Sequence, residues 1–182
     1  MSFAAEDYQS SEDPLTVEEH NLFYRLQTVF THKEMISFAK SPIAHRDFWY
    51  ESVGLFIARD EHLYLAVKAG DNDDSHNHND TGSFTIYKDG KPMFIDVGVE
   101  TYTKKTFSKD RYDIWTMQSR YHNLPTFFDG GTQIMQRNGS DYRAKNVTHQ
   151  LGASVCHISM DLEAAYPDER IKSYTRNAVL EK

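Results

Sequence analysis

The stretch Ser83-Phe-Thr-Ile-Tyr-Lys-Asp-Gly-Lys-Pro-Met-Phe-Ile-Asp-Val97 decides the fold. Two runs of aromatic and aliphatic residues flank Asp89-Gly90, a dipeptide that tolerates positive φ and so closes a tight β-hairpin. Similar short runs lie to either side: Gly54–Arg59, Leu63–Lys68, Gln133–Arg137, Ala153–Met160 and Ile171–Leu180. Gly and Asp separate several of them, a spacing that predicts an antiparallel sheet or sandwich rather than alternating βα units. Upstream the period changes. Leu22, Phe23, Leu26, Val29 and Phe30 recur at helical spacing, and Thr16 with Glu19 forms a capping-box pattern. A helical segment is expected over about 16–40, ended at Ser41-Pro42, with residues 1–14 a frayed acidic end. The expected fold is mainly β, an antiparallel β-sandwich behind a short N-terminal helical segment.

Composition narrows the function classes. The 182 residues suit one domain, and 39% hydrophobic with 13% aromatic residues supply a core. The net charge of -7 is uneven: residues 1–80 hold 6 basic and 15 acidic residues, residues 81–182 hold 14 and 12. Neither half is the basic domain that nucleic-acid binding calls for. A single cysteine, Cys156, rules out disulfide scaffolds and Cys-rich zinc modules. No apolar run reaches the roughly 18 residues of a membrane-spanning helix, so no membrane role is expected. Phosphate loops, dinucleotide fingerprints and nucleophile elbows are absent from the sequence.

The chemistry concentrates in Gly70-Asp-Asn-Asp-Asp-Ser-His-Asn-His-Asn-Asp80. An EF-hand fits poorly, since His76 stands where the turn glycine belongs and Gly82 where the final Glu belongs. In an extended segment, residues i and i+2 point to one side, so His76 and His78 can share a site. Imidazoles joined by a carboxylate suit zinc and other first-row metals. The same composition also describes a solvated acidic loop. Asp96 is the best carboxylate partner because it lies in the apolar run Met93–Val97, where an unpaired charge is costly to bury. A three-residue hairpin loop sets Asp96 opposite Gly82, in the parity of Asp80, His78 and His76; a two-residue loop reverses it. His122, in Tyr121-His-Asn-Leu-Pro125, is the third candidate ligand.

Four ordered motifs carry a resemblance: Ser75-His-Asn-His-Asn-Asp-Thr-Gly-Ser-Phe84, Gly90-Lys-Pro-Met-Phe-Ile-Asp-Val-Gly98, Glu100-Thr-Tyr-Thr-Lys-Lys-Thr-Phe-Ser108 and Tyr121–Pro125. Together they resemble the heparinase II/III-like polysaccharide lyases, most densely over about 54–145. The resemblance implies a helical toroid followed by an antiparallel β-sandwich that binds zinc. On that basis residues 1–45 are a helical lead-in and linker, a remnant of the toroid junction, and 46–182 the sandwich domain. His78, Asp96 and His122 match the metal ligands, and His76 matches the histidine facing substrate. The implied chemistry is β-elimination at a uronic acid: a base removes the C5 proton and the bond to the C4 oxygen breaks. His76 and Tyr112 are the expected catalytic residues, with Tyr102 and Tyr121 as alternatives to Tyr112. Lys104, Lys105 and Arg111, with Lys109 and Arg120 nearby, are expected to meet an acidic polysaccharide.

The chain departs from that family in length. Residues 1–45 are too few for a toroid, so the expectation is a sandwich portion with an incomplete active site and little or no activity alone. An incomplete sandwich leaves an open edge, which favours a homo-oligomer. The alternative is a non-catalytic carbohydrate-binding or assembly domain with a structural zinc. A cupin-like reading wants a Glu shortly after the second His, and Thr81–Tyr87 has none. The location stays open between cytoplasm and periplasm.

Overall fold

The computed structural model describes residues 21–39 and 45–182. The chain divides at His45/Arg46 into two compact units, which are taken in turn. In the first, α1 (Leu22–Ser37) begins at Asn21, whose side chain accepts a hydrogen bond from the Phe23 amide at 3.0 Å. That bond satisfies one of the free amides of the first turn. Leu22, Phe23, Val29 and Phe30 are exposed. The expected capping box at Thr16 and Glu19, the frayed end at 1–14 and the break at Ser41-Pro42 lie outside the described residues.

The second unit is built from strands. Five antiparallel strands form one sheet in the order β1 (Phe48–Tyr50), β2 (Leu55–Arg59), β3 (Leu63–Lys68), β5 (Phe84–Lys88), β6 (Lys91–Phe94). Three more, β10 (Lys145–Leu151), β11 (Val155–Asp161) and β12 (Thr175–Glu181), form a second antiparallel sheet. Two short ribbons complete the unit: β4 (Asp71–Asn72) with β9 (Gly139–Arg143), and β7 (Phe127–Asp129) with β8 (Thr132–Ile134).

Strict alternation makes the core. Phe56 and Ala58 of β2 oppose Val67 and Leu65 of β3, and all four are buried. From the second sheet Cys156, Ile158, Met160 and Leu180 join them, with Leu162 just beyond β11. The inward side chains of both sheets thus share one core, as in a sandwich. Burying a side chain such as Phe56 or Ile158 contributes about 2–3 kcal/mol. The sandwich is incomplete: among the described residues, β12 ends its sheet unpaired. Beside it lies a groove of about 330 Å³, bounded by Leu63, Leu65, Phe84 and Ile86 and by residues 176–181.

The hairpin forms where expected, with the shorter of the two loop lengths. Lys88 pairs with Lys91, so the loop is the two residues Asp89 and Gly90, at φ 50° and 73°. A two-residue loop alone would reverse the parity that aligns Asp96 with the histidines. A bulge between Ile86 and Tyr87 reverses it again, pairing Ile86 with Phe94. The strand then stops at Phe94, short of the expected Val97, and Met93, Phe94 and Ile95 are exposed. Asp96 therefore lies beyond the strand and not inside a buried apolar run. The later runs also shift: Gln133–Arg137 is strand only to Ile134, and Ile171–Leu180 only from Thr175.

Candidate functional site

Two irregular stretches carry the site: residues 70–83, from β4 to the start of β5, and residues 95–126, between β6 and β7. Asn72, fully buried, organises the first. Its Oδ1 accepts from the Asp80 amide (3.2 Å), the Thr81 amide (3.3 Å) and the Thr81 hydroxyl (2.9 Å). Its Nδ2 donates to Gln136 Oε1 and the Arg137 carbonyl, both at 3.0 Å. Gln136 in turn donates twice more, from Nε2 to the Thr81 carbonyl at 2.7 Å and from its backbone amide to Ser119 Oγ at 2.9 Å. Every polar atom so bonded is spared the cost of burial without a partner. At Gly82, φ is +91° and an added Cβ would collide with Leu162, so only glycine lets the loop pass the core here.

The second stretch steps through four short 3-10 turns, Lys105–Phe107, Arg111–Asp113, Trp115–Met117 and Ser119–Tyr121, to reach His122. Asn123 then fixes its end, donating from Nδ2 to the carbonyls of Phe84 (2.8 Å) and Ile95 (3.0 Å). That bridge brings the segment carrying Asp96 to the one carrying His122. The Asn79 amide donates to the Met117 carbonyl at 3.0 Å, which ties the histidine loop to the same turns.

His78, Asp96 and His122 come together: one ligand-capable atom from each lies within 4.8 Å of the others. The two imidazole centroids are 5.3 Å apart. His122 Nδ1 and Asp96 Oδ2 are hydrogen-bonded at 2.7 Å, with the His122 side chain fully buried. Asp96 Oδ1 also accepts from the Gly98 amide at 3.3 Å. His122 Nε2 is buried and, among the described residues, has no hydrogen-bond partner. Burial pushes the His78 imidazole below its ordinary value, so it stays neutral with its lone pair available. Burial alone would raise Asp96, but its hydrogen bonds to His122 and the Gly98 amide outweigh that and hold the carboxyl below its ordinary range. Two histidines and a carboxylate, one imidazole nitrogen orphaned, fit a zinc-type donor set.

His76 does not share that cluster. It sits in the left-handed region at φ 60°, so the segment is not extended and the i, i+2 argument fails here. Its exposed ring instead stacks on Tyr102, centroids 5.6 Å apart and 14° from parallel, with Nδ1 and the Tyr102 hydroxyl at 3.2 Å. Phe107 meets both rings edge-on. Tyr112 lies half-buried in the Arg111–Asp113 turn, where its carbonyl accepts from Gln118. Tyr121 stands edge-on to Trp115, under the Arg120 guanidinium.

The basic residues separate into two kinds. Lys104, Lys105 and Lys109 are exposed, Lys105 at 4.0 Å from Asp113. Arg111 is half-buried and spends its guanidinium on backbone carbonyls: Nε and Nη2 on Asn77 O at 3.1 and 2.8 Å, Nη1 on Thr106 O at 2.8 Å. Sequence reasoning missed Asn72 and Thr81, because polar residues in or beside an Asp-rich stretch read as solvated, and missed Gln136 and Lys68, whose partners are distant in sequence or across a loop. Lys68 Nζ donates to Asn77 Oδ1 (3.1 Å) and pairs with Asp80 (2.6 Å).

The model of the family described as Heparinase II/III-like, C-terminal, matches residues 42–155, more than half of the chain. The fold is similar to that of the heparan sulfate lyase HepC from Pedobacter heparinus, with 17% identity and a TM-score of 0.56 over 87% of this chain and 25% of that one. It is similar too to a solved heparinase III gene product, at 17% identity and a TM-score of 0.55 over 86% of this chain and 24% of that one. The chain thus spans about a quarter of the length of these structures. No curated protein matches it.

Proposed function

The chain belongs to the heparinase II/III-like C-terminal family, and on that premise we propose that it is the metal-centred sandwich portion of a polysaccharide lyase. The observation that carries the reading is the cluster of His78, Asp96 and His122, with its one orphaned, buried imidazole nitrogen. Zinc is the metal proposed, held by His78, Asp96 and His122; when bound it would supply fixed positive charge beside the substrate face.

The reaction proposed is β-elimination from a uronic-acid polymer. His76, exposed beside the cluster, is the group that would take or shuttle the C5 proton. Its hydrogen bond to Tyr102 supports Tyr102, over the Tyr112 expected from sequence, as the phenol that keeps His76 oriented and relays a proton. The exposed lysines Lys104 and Lys105 would meet the polymer's negative charge, an interaction that salt weakens. Because the chain covers a quarter of its structural relatives, the active site is proposed to be incomplete and the chain alone to have little turnover. Self-association is also proposed, supported by the unpaired edge of β12 and the exposed Met93, Phe94 and Ile95. Sedimentation at tens of micromolar should show a dimer or larger species; a monomer would refute it.

The test is to add heparan sulfate or alginate oligosaccharides to the zinc-loaded chain, following binding by calorimetry and elimination by the ultraviolet absorbance of unsaturated uronate. Binding with at most slow elimination is expected. Absence of binding to any acidic oligosaccharide would overturn the polysaccharide reading, and rapid turnover would overturn the incomplete active site.

A further inference from the structure

We propose that Arg111 is a positioning residue for the metal centre, fixing His78 through the neighbouring carbonyl of Asn77 rather than meeting substrate. The proposal rests on the metal reading above and deepens it. Asn77 lies between the two histidines of the loop and is held from three sides. Two nitrogens of the Arg111 fork converge on its carbonyl, at 3.1 and 2.8 Å. Lys68 Nζ donates to its side-chain oxygen at 3.1 Å, and its amide donates to the Asp74 carbonyl at 3.1 Å. The third Arg111 contact, Nη1 to the Thr106 carbonyl at 2.8 Å, ties the histidine loop to the turn that carries Phe107.

The backbone explains why such a clamp is needed. His76 occupies a left-handed conformation, which is strained for a residue with a Cβ and persists only where the surroundings over-determine it. Released, the loop would relax toward an extended path and carry His78 away from Asp96 and His122. A guanidinium suits the task because its planar fork can grip one carbonyl with two converging donors while a third reaches elsewhere. Among the described residues, no carboxylate pairs with Arg111. Its charge is committed to the protein's own backbone.

The experiment compares the wild-type chain with Arg111→Ala and Arg111→Lys, using Co²⁺ as the probe. Affinity is read by titration, ligand geometry by the visible absorption of bound cobalt, and fold by far-ultraviolet circular dichroism. Arg111→Ala is expected to keep the native dichroism, bind cobalt roughly 10- to 100-fold more weakly and shift the absorption bands, the loss typical when a group supporting a ligand is removed. Arg111→Lys, a point charge without the fork, should fall between the two. If Arg111→Ala does not fold, a folded Arg111→Lys that binds more weakly than wild type supports the proposal and one that binds equally overturns it. Unchanged cobalt affinity and spectrum in Arg111→Ala, with loss only of acidic-oligosaccharide binding, would make Arg111 a substrate residue and overturn the proposal. Failure of the wild-type chain to take up cobalt would overturn the metal reading itself, and this inference with it.

Discussion

Ile158 in β11 and Asn72 in β4 are both fully buried, yet they hold their surroundings together by different means. Around Ile158 the sheets meet through side chains that alternate in and out, and any apolar residue of similar volume would serve. Around Asn72 the chain is irregular, and five hydrogen bonds to four residues replace the sheet ladder. The first arrangement is tolerant in chemistry and strict in volume. The second is strict in chemistry, because each lost partner leaves a buried polar group unpaired. The difference teaches where this chain keeps its precision: the layers supply stability, and the polar loops supply the placement of His76, His78, Asp96 and His122.

The largest effect should come from the core. Ile158→Ala is expected to cost about 2–5 kcal/mol in chemical denaturation, yet leave metal affinity unchanged in the folded fraction. An equal loss of metal affinity would show that the two regions are not separable. Asn72→Leu should cost a similar amount, since it keeps volume while stranding the Thr81 hydroxyl, the Asp80 and Thr81 amides, Gln136 Oε1 and the Arg137 carbonyl, at about 1–3 kcal/mol for each that water cannot reach. It should also weaken metal binding, because the strand-to-loop junction that presents His78 is then unpinned. Denaturation and metal titration on one sample distinguish the two variants.

The smallest effect lies on the hairpin, far from either kind of burial. Asp89 hydrogen-bonds the exposed His62 ring at 2.7 Å and raises its pKa above the ordinary 6.5. The stabilisation is therefore fully present below pH 6.5 and is lost as pH rises through the folded value. Asp89→Asn should move the His62 titration, read by NMR, down toward its ordinary value and reduce this slight dependence; a titration that does not move would show the pair to be inconsequential.

Much of the layered region was legible in the sequence. Period-2 runs marked β2, β3, β5, β11 and β12, and Asp89-Gly90 marked the turn, because alternation and positive φ leave direct traces in residue type. The bulge beside Tyr87 left no such trace, and neither did the short strands β4, β7 and β9, whose pairing comes from tertiary contacts rather than local preference. In the site, the three candidate ligands stood out through their motifs. The left-handed turn at His76, the Asn72 hub and the Arg111 clamp did not, since Asn and Thr beside an acidic stretch, or Arg in a basic one, look the same whether solvated or buried. Nothing in the spacing shows which phenol meets His76, where the structure places Tyr102.

The most direct test of the central claim, that the polar loops build a metal centre, is the metal content of the purified chain beside His78→Ala. The account predicts about one zinc per wild-type chain and its loss in the variant, with native dichroism kept in both. Equal metal content in the two, or none in the wild type, would contradict it.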